Sequence, residues 1–184
     1  MKKHTIRLCY CALLCALIIL STILFRFTIP GTDVMVTLQV LFVLLCGQML
    51  PVRYCLYTTC AYLLAGLIGL PVFSSINGPA VIVTPSFGYL LAFPFAAAVC
   101  SLVRQKWSQK KGSRYMASFC GLIVLYTVAM GYVFLLSQLY WKETLSAKAL
   151  LTGYLFVFLP LDALKAAFAA WLGQRMHKLA SQIR

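Results

Sequence analysis

Asp162 and Lys165 stand three residues apart in FLPLDALKAAFAAWL, residues 158–172, one of the most apolar stretches of the chain. Only three acidic residues occur among the 184, so an aspartate here needs a reason. Residues three apart on a helix share a face, which puts a carboxylate acceptor beside an ammonium donor one turn after Pro160. Two readings stand open: an internal ion pair that fixes the helix, or a clamp for the polar head of a ligand. Ionisable groups inside a membrane span are costly and face a bundle interior or a cavity. The topology derived below carries Thr37, Gln39, Asn77, Ser86 and Tyr89 to the same end. A mostly apolar pocket with a few convergent polar groups is the usual form of a small-molecule site.

Other chemistries are poorly supplied. No phosphate loop of the G-x-x-x-x-G-K-[ST] type occurs, so the chain cannot drive ATP hydrolysis alone. Ser86 and Ser101 have no histidine to activate them, because His4 and His177 lie near the termini. Three acids are too few for a metal-dependent phosphotransferase. Cys9, Cys11, Cys15, Cys46, Cys55, Cys60, Cys100 and Cys120 all fall in apolar runs without a C-x-x-C pair. They read as small hydrophobes rather than metal ligands, leaving disulfides between outward-facing positions open. No enzyme activity, cofactor or metal is expected. A second signal is structural: Ala12 and Ala16 in ALLCA form a small-residue face that admits another helix closely. That helix can belong to the same bundle or to a partner.

The elements that must position these residues follow from composition. The chain is 62% hydrophobic and 10% charged, against about a quarter charged in soluble domains, so its solvent is lipid. The formal charge of +13 lies between apolar runs instead of along one stripe, which argues against a nucleic-acid partner. The basic start and apolar run at the N-terminus exceed a signal-peptide core and lack a cleavage site, so they read as a retained first helix. With about 20 apolar residues needed per span, the sequence predicts helices over about 6–26, 34–50, 53–70, 85–103 and 115–138. The stretch 145–174 is too long for one span; Gly153 and Pro160 split it into an interfacial segment, about 144–153, and a sixth helix, about 157–180. The expected architecture is an all-α integral membrane protein, with six transmembrane helices in a single domain over residues 1–184.

With the N-terminus inside, Lys2, Lys3, Arg7, Arg53, Arg104, Lys106, Lys110, Lys111, Arg114, Arg175, Lys178 and Arg184 are cytoplasmic, and only Arg26, Lys142 and Lys148 are outside. The excess of basic residues predicts that both termini are cytoplasmic. The charge-free loop 70–84, LPVFSSINGPAVIVT, then faces outward and reads as a capping or re-entrant loop over a cavity. No internal repeat of the alternating-access kind is visible.

YLLAGLIGLPVF (62–73), VTLQ (36–39) and FLPLDALKAAFA (158–169), in that combination on six spans, resemble the BioY family. These are the biotin-specific substrate-binding (S) components of energy-coupling factor (ECF) transporters. The likeness covers nearly the whole chain. The chain reads SSINGPA where the family has a glycine-rich loop and TPSFGYL where it has GPTGGYL, and it carries Asp33 and Met35 in place of family prolines. The resemblance implies biotin uptake across a bacterial plasma membrane, energised by a transmembrane coupling subunit and two ABC-type ATPases. It also implies that Ala12 and Ala16 dock on that coupling subunit. Asp162 would accept a ureido N–H of biotin, Lys165 would donate to the ureido carbonyl and Asn77 would do either, with Phe73 and Tyr89 as walls. Arg26, Lys142 and Lys148 lie on the side where the valerate carboxylate would emerge, and none is singled out. The alternatives are an S component for another vitamin such as thiamine or riboflavin, or a non-transport membrane protein in which the Asp–Lys pair is structural.

Overall fold

The computed structural model describes residues 2–28, 35–74, 76–108, 112–141 and 158–176. Its α-helices are α1 (Lys2–Leu24), α2 (Gln39–Met49), α3 (Val52–Leu67), α4 (Pro85–Lys106), α5 (Ser113–Leu136) and α6 (Leu159–Arg175). This is the six-helix architecture that the hydropathy pattern predicts. The interfacial segment expected over 144–153 and the outermost residues of the last helix lie outside the described residues. Among the described residues, three helices are long and apolar enough to cross a membrane: His4–Leu24, Pro85–Lys106 and Ser113–Leu139.

The main departure is at α2, which starts at Gln39 rather than near residue 34. Met35–Thr37 instead forms a strand, β2, paired antiparallel with β1 (Arg26–Thr28), with Arg26 opposite Thr37 and Thr28 opposite Met35. The β-branched Val36 and Thr37 suit this ribbon, and pairing satisfies backbone groups that a helix would otherwise have to bond internally. The helix that remains has 11 residues, about 16 Å at 1.5 Å per residue. Apart from Phe42, every one of its residues is buried. The environment of α2 is therefore protein, which tolerates irregular backbone at its ends.

The other end of α2 is set by proline. Leu50 turns extended and Pro51 follows, a residue that cannot continue a helix. The carbonyl of Leu50 is left without a helical donor, and it accepts from Ser101 Oγ at 2.7 Å and from an Arg104 guanidinium nitrogen at 3.0 Å. Fully buried Gln48 donates to the carbonyl of Arg114 at 2.8 Å and to Ser118 Oγ at 3.0 Å. These bonds staple α2 to α4 and α5. α4 and α5 form the most extensive helix pair, and small residues bring them together. A Cβ on Gly121 would stand 2.9 Å from the Ala96 carbonyl oxygen. In lipid, such close approach supplies the packing energy that water would otherwise supply.

Two ends of the bundle can now be distinguished. Arg7 of α1 lies over the ring of Tyr54 at the start of α3, 5.4 Å from its centroid. Arg104 reaches Leu50, Arg114 packs beside Gln48, and the helix α6 passes Gln48 at Gly173. The starts of α1, α3 and α5 and the later turns of α2, α4 and α6 thus share one basic end. The opposite end carries the starts of α2, α4 and α6, the β1–β2 ribbon and the loop after α3.

That loop folds inward, as a capping loop must. Leu70 N donates to the Ala65 carbonyl at 3.1 Å and Gly78 N to the Gly66 carbonyl at 2.8 Å. Val72 and Phe73 are buried, and a 3₁₀ turn, Pro79–Val83, then leads into α4.

Candidate functional site

The chemistry gathers where the first turn of α6 meets the start of α2. Pro160 stands in the first turn of α6, where its missing N–H costs nothing. Asp162 follows in the same turn, and the positive end of the helix dipole favours a carboxylate there. Its Oδ1 lies 2.6 Å from Lys165 Nζ, and its Oδ2 accepts from the Tyr126 hydroxyl on α5 at 2.8 Å. Lys165 also donates to the main-chain carbonyl of Thr37 at 2.7 Å. The side chains of Lys165 and Asp162 are 12% and 8% exposed. Burial this deep makes each partner costly to remove. Two of the three ammonium protons are engaged in these bonds and each carboxylate oxygen retains acceptor capacity. The pair therefore still offers a donor and acceptors to a third molecule.

A second chain of bonds runs from the same cavity towards the loop. Thr37 Oγ1 donates to Gln39 Oε1 at 2.9 Å, Gln39 Nε2 donates to the Tyr62 hydroxyl, and that hydroxyl donates to the Val72 carbonyl at 3.0 Å. Tyr62 is fully buried on α3, edge-on to Phe73 with ring centroids 5.5 Å apart.

Around these groups lies a cavity lined by Thr37, Gln39, Val40, Ser74, Ser86, Tyr89, Leu90, Phe93, Phe158, Asp162 and Lys165. The cavity volume is about 40 Å³. That is well below the range usual for small-molecule sites, about 300–1,000 Å³, so a vitamin-sized ligand requires the lining to open. Arg26 lies beside the lining residue Ser74, with a guanidinium nitrogen 3.5 Å from its carbonyl.

Of the residues singled out in the sequence, Thr37, Gln39, Ser86, Tyr89, Asp162 and Lys165 share this lining. Asn77 and Phe73 do not. The Asn77 side-chain oxygen accepts from the backbone N–H groups of Val72 at 3.1 Å and Phe73 at 2.9 Å, so it ties the loop to itself. Phe73 packs over Gly66, where an added Cβ would fall 2.1 Å from its ring. Lys142 and Lys148 lie outside the described residues. Sequence reasoning missed Tyr126 and Tyr62. The available signal was a tyrosine in the middle of an apolar helix, whose hydroxyl must find a partner when buried. Ala12 and Ala16 are exposed on α1, while Cys11, Leu14 and Ile18 turn inward. Among the described residues, nothing covers the small-residue face.

Comparison with known proteins gives a consistent result. The sequence matches the BioY family over residues 1–182. It is 32% identical over 158 residues to a probable biotin transporter BioY of Lysinibacillus sphaericus, covering 85% of this chain and 80% of the relative. It is 36% identical over 154 residues to the biotin transporter BioY of Thermotoga maritima, covering 83% and 86% respectively. The fold superimposes with a TM-score of 0.83 on the crystal structure of the S-component for biotin from an ECF-type ABC transporter. That match has 25% identity and covers 96% of this chain and 93% of the other.

Proposed function

Because the chain belongs to the BioY family, we propose that it is the membrane-embedded subunit that captures biotin for uptake. It is a multi-pass protein of the cell membrane, and its relatives are transport proteins. The observation that carries the reading is the cavity in which Asp162, Lys165, Thr37 and Gln39 converge beside the apolar walls Val40, Leu90, Phe93 and Phe158. The ureido ring of biotin has two N–H donors and a strongly accepting carbonyl. Asp162 takes one N–H, the remaining proton of Lys165 goes to the carbonyl, and Gln39 can serve either side. Tyr89, Leu90 and Phe93 supply walls for the apolar body of the ligand. Arg26, beside the lining residue Ser74, is the cation we assign to the carboxylate.

The basic end of the bundle supports an orientation with both termini in the cytoplasm and the cavity outside. Without a phosphate loop the chain needs external power, which we assign to a transmembrane coupling subunit and two ABC-type ATPases. The exposed Ala12 and Ala16 suit close approach of a coupling-subunit helix. The test is binding of labelled biotin to the purified chain in the absence of ATP. Saturable binding at one site supports the reading. Folded protein that ignores biotin and retains another vitamin overturns it.

A further inference from the structure

We infer that Tyr62, which does not line the cavity, is a positioning residue that locks Gln39 and the loop after α3 into one arrangement; the inference rests on the biotin-binding reading. The polarity of its bonds leaves a single solution. The Val72 carbonyl can only accept, so the Tyr62 proton goes to it. The Tyr62 oxygen must then accept from Gln39, which directs Nε2 and not Oε1 towards it. At the other side of the amide, Oε1 takes the Thr37 hydroxyl proton, and that hydroxyl accepts from the Gln39 backbone N–H at 3.4 Å. Every bond in the series points the same way, and because the single Tyr62 proton is taken by Val72, the Gln39 amide cannot flip without losing its bond to Tyr62. Gln39 therefore presents one N–H and one lone pair to the cavity in fixed order.

The same hydroxyl determines where the loop sits. Val72 is held on one side by Tyr62 and on the other by Asn77. Its neighbour Phe73 is pressed against Tyr62 and into the space that Gly66 leaves open. Ser74, one residue further, lines the cavity. Tyr62 thus joins the floor of the site to its cover through one atom. A ligand that engages Gln39 is sensed by the loop, and a loop that lifts away frees Gln39 to turn.

The test is Tyr62→Phe, which keeps the ring against Phe73 and Phe93 and removes only the hydroxyl. Dissociation of biotin should be about tenfold faster, the scale of one buried hydrogen bond, with association changed less than about twofold. Amide hydrogen exchange of the Val72 and Phe73 region should quicken in the unliganded protein. Gln39→Met cuts the link from its other end, and adding Tyr62→Phe to it should produce little further acceleration, because the two act through one bond. Packing alone predicts that Tyr62→Phe is nearly neutral. An unchanged dissociation rate with unchanged loop exchange overturns the inference. A wild-type chain that binds no biotin sinks the substrate assignment instead, and loop exchange in unliganded Tyr62→Phe then judges the latch by itself.

Discussion

The hydroxyl of Tyr126 donates to Asp162 Oδ2 across the α5–α6 interface at 2.8 Å, on the side of the carboxylate opposite Lys165. Asp162 is therefore held from two helices and cannot rotate to follow a ligand. The acceptor is fixed before any ligand arrives, which lowers the ordering cost of binding. The Tyr126 ring is itself braced edge-on by Tyr89 of the cavity lining, centroids 5.9 Å apart.

From this arrangement, Asp162→Asn and Lys165→Ala should each weaken biotin binding by about 2–5 kcal/mol, since truncating one member of a buried polar contact leaves the other unpaired. That is roughly 30- to 5000-fold in affinity. Asn keeps the shape and one acceptor, so it should be milder than Ala at position 162. Tyr126→Phe should act in the same direction by about tenfold, through the lost bond to a charged group. Isothermal titration and thermal melting of the unliganded protein separate the readings. If the ion pair is only structural, each single change lowers stability with affinity intact, and a double apolar replacement restores it.

Much of this site was legible because acids are scarce. With three carboxylates in the chain, one at membrane depth with a lysine three residues on attracts attention without any structure. Pro51, Pro160 and the hydropathy pattern likewise placed the helices to within a turn or so. Tyr126 and Tyr62 were hidden by number, since ten tyrosines occur and a tyrosine in a span announces a polar tip without saying where it points. The Thr37 carbonyl bonded by Lys165 is backbone and has no residue signature at all. Asn77 and Phe73 were the right residue types in the right loop, but the inward fold of that loop turns them towards its own backbone and towards Gly66. The β1–β2 ribbon was missed because three-residue strands carry too short a pattern to outweigh the apolar run that continues into α2.

Replacing Ala12 and Ala16 together by Leu should weaken association with a coupling subunit by roughly 5- to 150-fold, the scale of about 1–3 kcal/mol for bulk forced into a close contact. Both residues are exposed on α1, so the bundle itself should tolerate the change. Co-purification of the complex reads the first effect, and biotin titration of the isolated chain the second. Loss of biotin binding with assembly intact would show that helix α1 serves the cavity instead.

Gly66→Ala gives a sign test. On helix propensity alone, Ala should stabilise α3 by about 1 kcal/mol. The added Cβ would, however, lie 2.1 Å from the Phe73 ring, which must leave its seat and take the loop with it. The expected result is a loss of about 1–3 kcal/mol in stability, seen as a lower melting temperature, together with faster hydrogen exchange over Val72 and Phe73. A stabilised variant would mean that Phe73 is not seated on Gly66 in solution.

Arg26→Gln addresses the far end of the ligand. The guanidinium sits beside the lining residue Ser74, exposed to solvent, where a single ion pair contributes only about 0–1 kcal/mol. Biotin affinity should therefore fall by about fivefold or less, far below the effect at Asp162. The informative comparison uses biotin methyl ester, which keeps the ureido ring and loses the negative charge. The ester should bind wild type and the Arg26→Gln variant equally, whereas biotin should distinguish them, and added salt should erase the distinction by screening. An equal loss for acid and ester would assign Arg26 to holding the loop through Ser74 rather than to the carboxylate.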